Sequence, residues 1–213
     1  MGSVRLTKIV SLIPVCDTLA DVGCDHGYIG IEALQSGRAT NVTFVDISKP
    51  SLEKARQNCP QAFKTNVKFI CQDGLRQLKV DCAVIAGMGG LEIISILEEA
   101  QALPQQLVLQ PMRNQRDVRQ YLMNNYEIVV YEKFFDGKFY DLIYAERSDK
   151  HHKLGELELE FGKSNLTNPT EDFKNFLTKE QTKLTTILQG CNDQEVKSKL
   201  LLVERAIAAI QED

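Results

Sequence analysis

Long apolar runs, histidines and closely spaced cysteines are all scarce in this chain of 213 residues, and each scarcity closes off a class of function. No stretch approaches the roughly 18 to 20 uninterrupted apolar residues of a membrane span, and the N-terminus lacks a signal peptide's apolar core and small-residue cleavage site. A cytoplasmic protein with no membrane partner is the expectation. The six cysteines, Cys16, Cys24, Cys59, Cys71, Cys82 and Cys191, form no C-x-x-C pair, and two of the three histidines are adjacent. Neither a disulfide framework nor a zinc site is indicated, so no metal is expected. A surplus of positive charge is missing too: 25 Lys and Arg stand against 29 Asp and Glu, a net charge of -4. That excludes a protein that coats nucleic acid non-specifically, which needs a broad positive surface to release counterions, and leaves room for a local basic patch. No internal repeat or low-complexity tract occurs.

What is present is ordinary globular composition, 43% hydrophobic and 25% charged, enough for one substantial core with a smaller appendage. A monomer is slightly favoured. From Cys16 to about Ser148, short apolar runs alternate with amphipathic stretches, the signature of an α/β sheet covered by helices. Strands are predicted at Thr18–Val22, Val42–Asp46, Val67–Cys71, Cys82–Ala86, Gln106–Leu109, Glu127–Phe134 and Phe139–Glu146. The first five are separated by segments long enough for crossover helices, such as Ser48–Asn58 and Gly90–Ala100, and should be parallel. Asp136-Gly137 suits a turn with positive φ at both residues, so the last two strands read as an antiparallel hairpin closing one edge. Past Lys150 the period changes. Phe173, Phe176, Leu177, Leu184, Ile187 and Leu188, then Val196, Leu200, Val203, Ile207 and Ile210, recur at helical spacing, with a helix stop and a new N-cap at residues 190–193. Two domains follow, 1–150 and a helical hairpin over 151–213.

The segment Leu19-Ala20-Asp21-Val22-Gly23-Cys24-Asp25-His26-Gly27-Tyr28 carries the most chemistry. A strand bearing Asp21 runs into a turn with Gly23 and Gly27, then into a helix from about Tyr28; glycine lets backbone approach a ligand closely. Phosphate-binding loops keep the intervening positions small, whereas here Asp25 and His26 fill them. An acidic loop suits a cation, and S-adenosylmethionine carries both an ammonium and a sulfonium. Taken alone, the same pattern also describes a plain strand-to-helix turn. Three further strand ends add to it: Asp46, placed to accept from two ribose hydroxyls; Gln72-Asp73-Gly74, with a carboxylate for an adenine amine; and Ala86-Gly87-Met88-Gly89-Gly90, a flat backbone surface.

These runs resemble the bacterial TrmK family. Residues 20–28 look like its A-D-I-G-S-D-H-A-Y, residues 85–90 are identical to its I-A-G-M-G-G, Leu107–Pro111 look like L-I-L-Q-P, and Asp136-Gly137-Lys138 matches D-G-K. Arg5-Leu6 resembles its N-terminal Arg-Leu, and the tail its C-terminal coiled-coil hairpin. Gly27, Gly30 and Met112 depart from it, standing where the family has Ala, Pro and Asn. The resemblance implies a Rossmann-like class I methyltransferase sheet of seven strands with a C-terminal helical coiled-coil hairpin, S-adenosylmethionine as cofactor, and methyl transfer to N1 of adenine 22 in the D-loop of tRNA. Candidate cofactor contacts are then Asp21, Gly23, Asp25, His26, Asp46, Ile47, Gln72, Asp73, Gly74, Gly87, Met88 and Gly89.

Adenine N1 has an in-plane lone pair that attacks a methyl group without simultaneous deprotonation, so alignment supplies the rate and a general base is optional. The absence of a D-P-P-Y-like carboxylate after the fourth strand agrees with that chemistry. Tyr28 is the candidate stacking platform for a flipped base and Asp25 the carboxylate that answers developing positive charge, these two being the candidate catalytic residues. His26 reads as a loop hydrogen-bonding residue. RNA contacts are assigned to Arg5, Tyr28, Arg113, Arg116 and Arg119, the last three spaced as a stripe on a helix. The helical tail is a candidate tRNA-binding element, although its 8 basic and 11 acidic residues leave it negative. Two rival readings stand: a methyltransferase for another RNA or small molecule, and a non-catalytic binding module on the same fold.

Overall fold

The computed structural model describes residues 3–150 and 153–211; the expected domain junction at residues 151–152 lies outside the described residues. In chain order the elements are α1 (Val4–Leu12), β1 (Cys16–Val22), α2 (Tyr28–Gln35), β2 (Ala39–Asp46), α3 (Lys49–Asn58), β3 (Val67–Cys71), β4 (Cys82–Met88), α4 (Gly90–Glu98), β5 (Gln106–Pro111), α5 (Gln115–Leu122), β6 (Tyr126–Asp136), β7 (Lys138–Arg147), α6 (Glu156–Phe161), α7 (Lys163–Thr167), α8 (Glu171–Gly190) and α9 (Gln194–Ala209). All seven predicted strands are found, and they form one sheet in the order β3-β2-β1-β4-β5-β7-β6. β1 to β5 pair in parallel, β7 is antiparallel to β5, and β6 pairs antiparallel with β7 as the edge.

Strand alternation sends successive side chains to opposite faces, and both faces are apolar. On β4, Cys82 and Val84 join the layer built with Ile9 and Val10 of α1, Leu34 of α2 and Leu52 of α3. Ala83 and Ile85 face the other way, against Ile93 and Leu97 of α4 and Val118 and Leu122 of α5. Burying a side chain of this size contributes about 1.5–3 kcal/mol, so the two layers dominate stability. Among the described residues no helix is long and apolar enough to cross a membrane.

Two local expectations are corrected. The β3-to-β4 crossover contains no helix; it is a run of turns that buries Leu75, because its ten residues include Gly74 at φ 60 and Gln77 at φ 60, which no helix accommodates. At the β6–β7 turn only Gly137 takes positive φ, while Asp136 stays in the strand and pairs with Lys138. The two tail helices expected are present, and among the described residues two short ones, α6 and α7, precede them. α8 begins at its N-cap Thr170 and α9 at its N-cap Asp193, and they pack together through Leu184, Val203 and Ala206. The short α7 and the start of α8 dock on β6, while α6 packs against α5.

That docking seals the sheet edge. The N–H groups of Tyr131, Lys133 and Phe135 donate to Ser164 Oγ (3.1 Å), Asn165 Oδ1 (3.1 Å) and Asp172 Oδ2 (3.0 Å). Side-chain oxygens thus replace the missing eighth strand. Gly162, at φ 80, passes so close to Tyr131 that a Cβ there would lie 2.1 Å from the ring.

Candidate active site

β1 and β4 are neighbours, yet the connection from β1 leads outward to β2 and that from β4 outward to β5. Between their carboxyl ends opens the crevice where open α/β sheets bind ligands. Gly23 leaves β1 at φ 67, and a Cβ there would sit 2.0 Å from the Met88 methyl, so only glycine fits both backbone and space. The loop is held from below and from the side. Gly23 and Cys24 donate their N–H groups to the Val45 carbonyl (2.8 and 3.1 Å), and Asp25 N–H donates to Asp46 Oδ2 (3.1 Å). The other oxygen of Asp46 accepts from Ser48 N–H at 2.8 Å. A carboxylate offers about four acceptor sites, so two remain on Asp46 for hydroxyl donors at the crevice. Beside it Ile47 is 73% exposed, a bare apolar surface.

Asp21 lies beneath this loop, not in it. Its side chain is buried and accepts the Gly30 N–H at 2.9 Å, which corrects the expectation of a direct cofactor contact: Asp21 fastens the first turn of α2. Burial pushes its pKa up to about 7, opposed by the Gly30 hydrogen bond and reinforced by the charge of Asp46. Three carboxylates, Asp21, Asp25 and Asp46, therefore crowd one strand end, and a cationic ligand would relieve them. Burial beside Asp21 also pushes the Cys24 thiol up, so it is no nucleophile at neutral pH.

At the end of β3, Gln72 Nε2 donates to the carbonyls of Gly74 (3.0 Å) and Arg76 (2.7 Å), shaping the turn that presents Asp73 to solvent, 3.6 Å from the Arg76 guanidinium. Gly87, at φ 80, is overlain by Arg5. Gly89 lies beneath Arg113. No carboxylate stands on the Gly87-Met88-Gly89 surface; the first acid of α4 is Glu92.

Tyr28 opens α2 with 55% of its surface exposed, and the His26 ring stacks on it, centroids 5.3 Å apart and planes 3° from parallel. Asp25 faces His26 Nε2 at 3.6 Å and Lys54 Nζ at 3.9 Å. Arg5 Nε donates to Gln110 Oε1 at 2.8 Å while the guanidinium lies 5.3 Å from the Tyr140 ring centroid. Buried Gln110 in turn reaches Met112 Sδ at 3.2 Å. Lys54, Gln110 and Tyr140 had no assigned role in the sequence reading, because nothing in a lysine of an ordinary helix or a tyrosine of an ordinary strand marks its proximity to a loop over 25 residues away.

The arginine stripe breaks up. Arg113 is exposed over Gly89, and Arg116 is exposed but held to Glu160 at 3.3 Å. Arg119 is withdrawn from solvent: it donates to the carbonyls of Leu159 and Glu160 and lies 4.5 Å from the Tyr131 ring centroid. Its expected contact with RNA is therefore corrected, since one helical face of α5 packs against α6 and the three-residue spacing carries position 119 onto that face. Among the described residues no group of three or more His, Cys, Asp or Glu is placed to hold a metal ion.

Residues 2–143 match the family described as a methyltransferase domain. The chain is 29% identical over 169 residues to the tRNA (adenine(22)-N(1))-methyltransferase of Bacillus subtilis, covering 75% of this chain and 71% of that one. Among solved structures, Mycoplasma capricolum TrmK in complex with S-adenosyl-homocysteine superposes with a TM-score of 0.88 at 25% identity, covering 99% of both chains. Streptococcus pneumoniae Sp1610 in complex with S-adenosyl-L-methionine also gives 0.88, at 27% identity, over 97% of this chain and 100% of that one.

Proposed function

Because this chain belongs to the TrmK family of methyltransferase-domain proteins, we propose that it transfers a methyl group from S-adenosylmethionine to N1 of adenine 22 in tRNA. The observation that carries the reading is the β1/β4 crevice itself: an acidic, glycine-lined strand end facing an exposed tyrosine, with a carboxylate-free surface behind β4. S-adenosylmethionine, when bound, supplies an electrophilic methyl group on a sulfonium. Asp46 accepts from the ribose hydroxyls with its two remaining acceptor sites, Ile47 covers one face of the adenine ring, and exposed Asp73 takes its amine. The methionine portion would lie along the backbone of the Gly23 loop and of Gly87-Met88-Gly89, where Met88, Arg5 and Arg113 pack on the three glycines.

On the substrate side Tyr28 stacks the flipped base, and His26, parallel to it, holds the ring in place. Asp25 accepts from the adenine amine and offsets the positive charge that develops as N1 is methylated. Lys54 positions that carboxylate. Arg5, fixed by Gln110 and Tyr140, and Arg113 present cations on the opposite wall for the nucleotides flanking the target. Residues 1–150 form the methyltransferase unit. Residues 153–211 close the β6 edge, a packing role that their docking supports over recruitment of tRNA. A protein acting on tRNA with this composition works in the cytoplasm.

The test is methyl transfer from labelled S-adenosylmethionine to unmodified tRNA, run beside a calorimetric titration with S-adenosylhomocysteine. Binding together with transfer is the expected result. Binding without transfer to any RNA would favour the non-catalytic module.

A further inference from the structure

The opposite edge of the sheet is built differently. β3 pairs with β2 alone, and among the described residues no side chain caps its outer face as Ser164, Asn165 and Asp172 cap β6. Around it the charge is segregated. Residues 47–72 hold five cations, Lys49, Lys54, Arg56, Lys64 and Lys68, against one carboxylate, Glu53, a local balance of +4 in a chain of net -4. All five are exposed; Lys54 and Arg56 pair with Asp25 and Glu53, and among the described residues Lys49, Lys64 and Lys68 have no ion-pair partner. In the tail, Lys174, Lys183, Lys199 and Arg205 each hold a glutamate.

Arg56, Lys64 and Lys68 line a shallow groove that also includes Phe69. Arg56 lies 4.4 Å from the Phe69 ring centroid, and Phe69 stacks on Phe44 beneath. α3 joins this groove to the crevice. α3 carries Lys54 against Asp25, and Asn58 Nδ2 donates to the His26 carbonyl at 3.0 Å, so the same helix borders both. A cationic groove walled by the Arg56–Phe69 pair is a form that suits a single nucleic-acid strand, with phosphates against the lysines and a base against the guanidinium that covers the ring.

We infer that the α3–β3 edge is a docking track for backbone phosphates of the RNA substrate, leading away from the crevice on the side remote from the tail. The inference rests on the reading that the substrate is tRNA. Unpaired lysines on an edge strand also discourage strand-to-strand aggregation, and the experiment separates the two roles.

The full chain is titrated with unmodified tRNA over a range of salt concentrations, comparing wild type, Lys64→Gln/Lys68→Gln, Lys64→Arg/Lys68→Arg and the tail pair Lys183→Gln/Lys199→Gln. The glutamine pair at the edge should weaken binding about tenfold near 0.1 M salt and lower the slope of log affinity against log salt by about 1.4–1.8, the loss of two phosphate contacts. The arginine pair should bind like wild type, and the tail pair should stay within twofold of it. Sedimentation should find each variant in the same association state. Binding by the edge glutamine pair within twofold of wild type and with the same slope overturns the track while leaving the substrate reading intact. Weaker binding that accompanies self-association of the glutamine pair also overturns it, in favour of edge protection. Wild type that binds S-adenosylhomocysteine but no tRNA defeats the substrate reading, and the track with it.

Discussion

At the β6 edge, three outward amide groups meet Ser164, Asn165 and Asp172, and buried Arg119 ties α5 to the carbonyls of α6. At the β3 edge, Arg56, Lys64 and Lys68 flank a strand that has no partner on its outer side among the described residues. A sheet in water leaves two rows of unpaired backbone groups, and this chain satisfies one row with its own tail while leaving the other beside exposed charge and solvent. The difference teaches where the chain has spent residues on stability and where it has kept surface free. The crevice lies between the two, at β1 and β4.

The contrast is broken most strongly at the sealed edge. Arg119→Ala leaves the half-buried Leu159 and Glu160 carbonyls without their donor and removes the packing on Tyr131, an expected loss of about 3 kcal/mol. For a chain of this length that lowers the midpoint of thermal unfolding by roughly 6–12 °C. A change under about 2 °C, read by calorimetry, would mean that the tail is not fastened through Arg119.

Between the edges, Tyr28→Ala should lower methyl transfer about ten- to a hundredfold, through loss of base stacking worth about 1–3 kcal/mol, while Tyr28→Phe keeps most of the rate. S-adenosylhomocysteine affinity should hardly move. Wild-type turnover in the alanine variant would remove the stacking role. Asp46→Ala is expected to weaken S-adenosylhomocysteine binding about tenfold, since it deletes the ribose acceptor and frees the Asp25 and Ser48 amides it braces. Unchanged affinity by calorimetry would place the ribose elsewhere.

The smallest effect concerns Asp21. Its folded pKa of about 7 lies above the ordinary value near 3.9, so the native state holds a proton that the unfolded chain releases. Stability from this group is full below about pH 4 and is lost as pH rises through about 7. Asp21→Asn keeps an acceptor for the Gly30 N–H and cannot ionise, so its unfolding midpoint should fall less than that of wild type between pH 5 and 7.5. Parallel pH curves for the two proteins would show that Asp21 is ionised in the native state across that range.

Much of this was legible in the residues. Short apolar runs located the strands, and a central run such as Cys82–Ile85 has no polar interruption because both faces of the sheet are buried there. The N-cap signal at residues 190–193 gave the start of α9, which Asp193 caps with its side chain. The acidic loop and Asp46 were readable from glycine spacing and strand ends. What escaped was tertiary. Asp21 and Arg119 are charged residues at positions where sequence reads exposure, and each is buried because a specific backbone group waits for it. α6 and α7 are too short to show a period; α6 offers its carbonyls to Arg119, and α7 sends Ser164 and Asn165 to a strand over 30 residues away. The clustering of Arg56, Lys64 and Lys68 beside Phe69 likewise needed the α3–β3 turn to bring the two elements together.

The central claim is that this crevice methylates the ring nitrogen of adenine, since its surface behind β4 carries alignment groups and no carboxylate to deprotonate an exocyclic amine. Its most direct test is nucleoside analysis by mass spectrometry of unmodified tRNA after reaction with the enzyme and S-adenosylmethionine. The account predicts N1-methyladenosine, mapped to position 22. Methylation on the exocyclic N6, or on a base other than adenine, would contradict it.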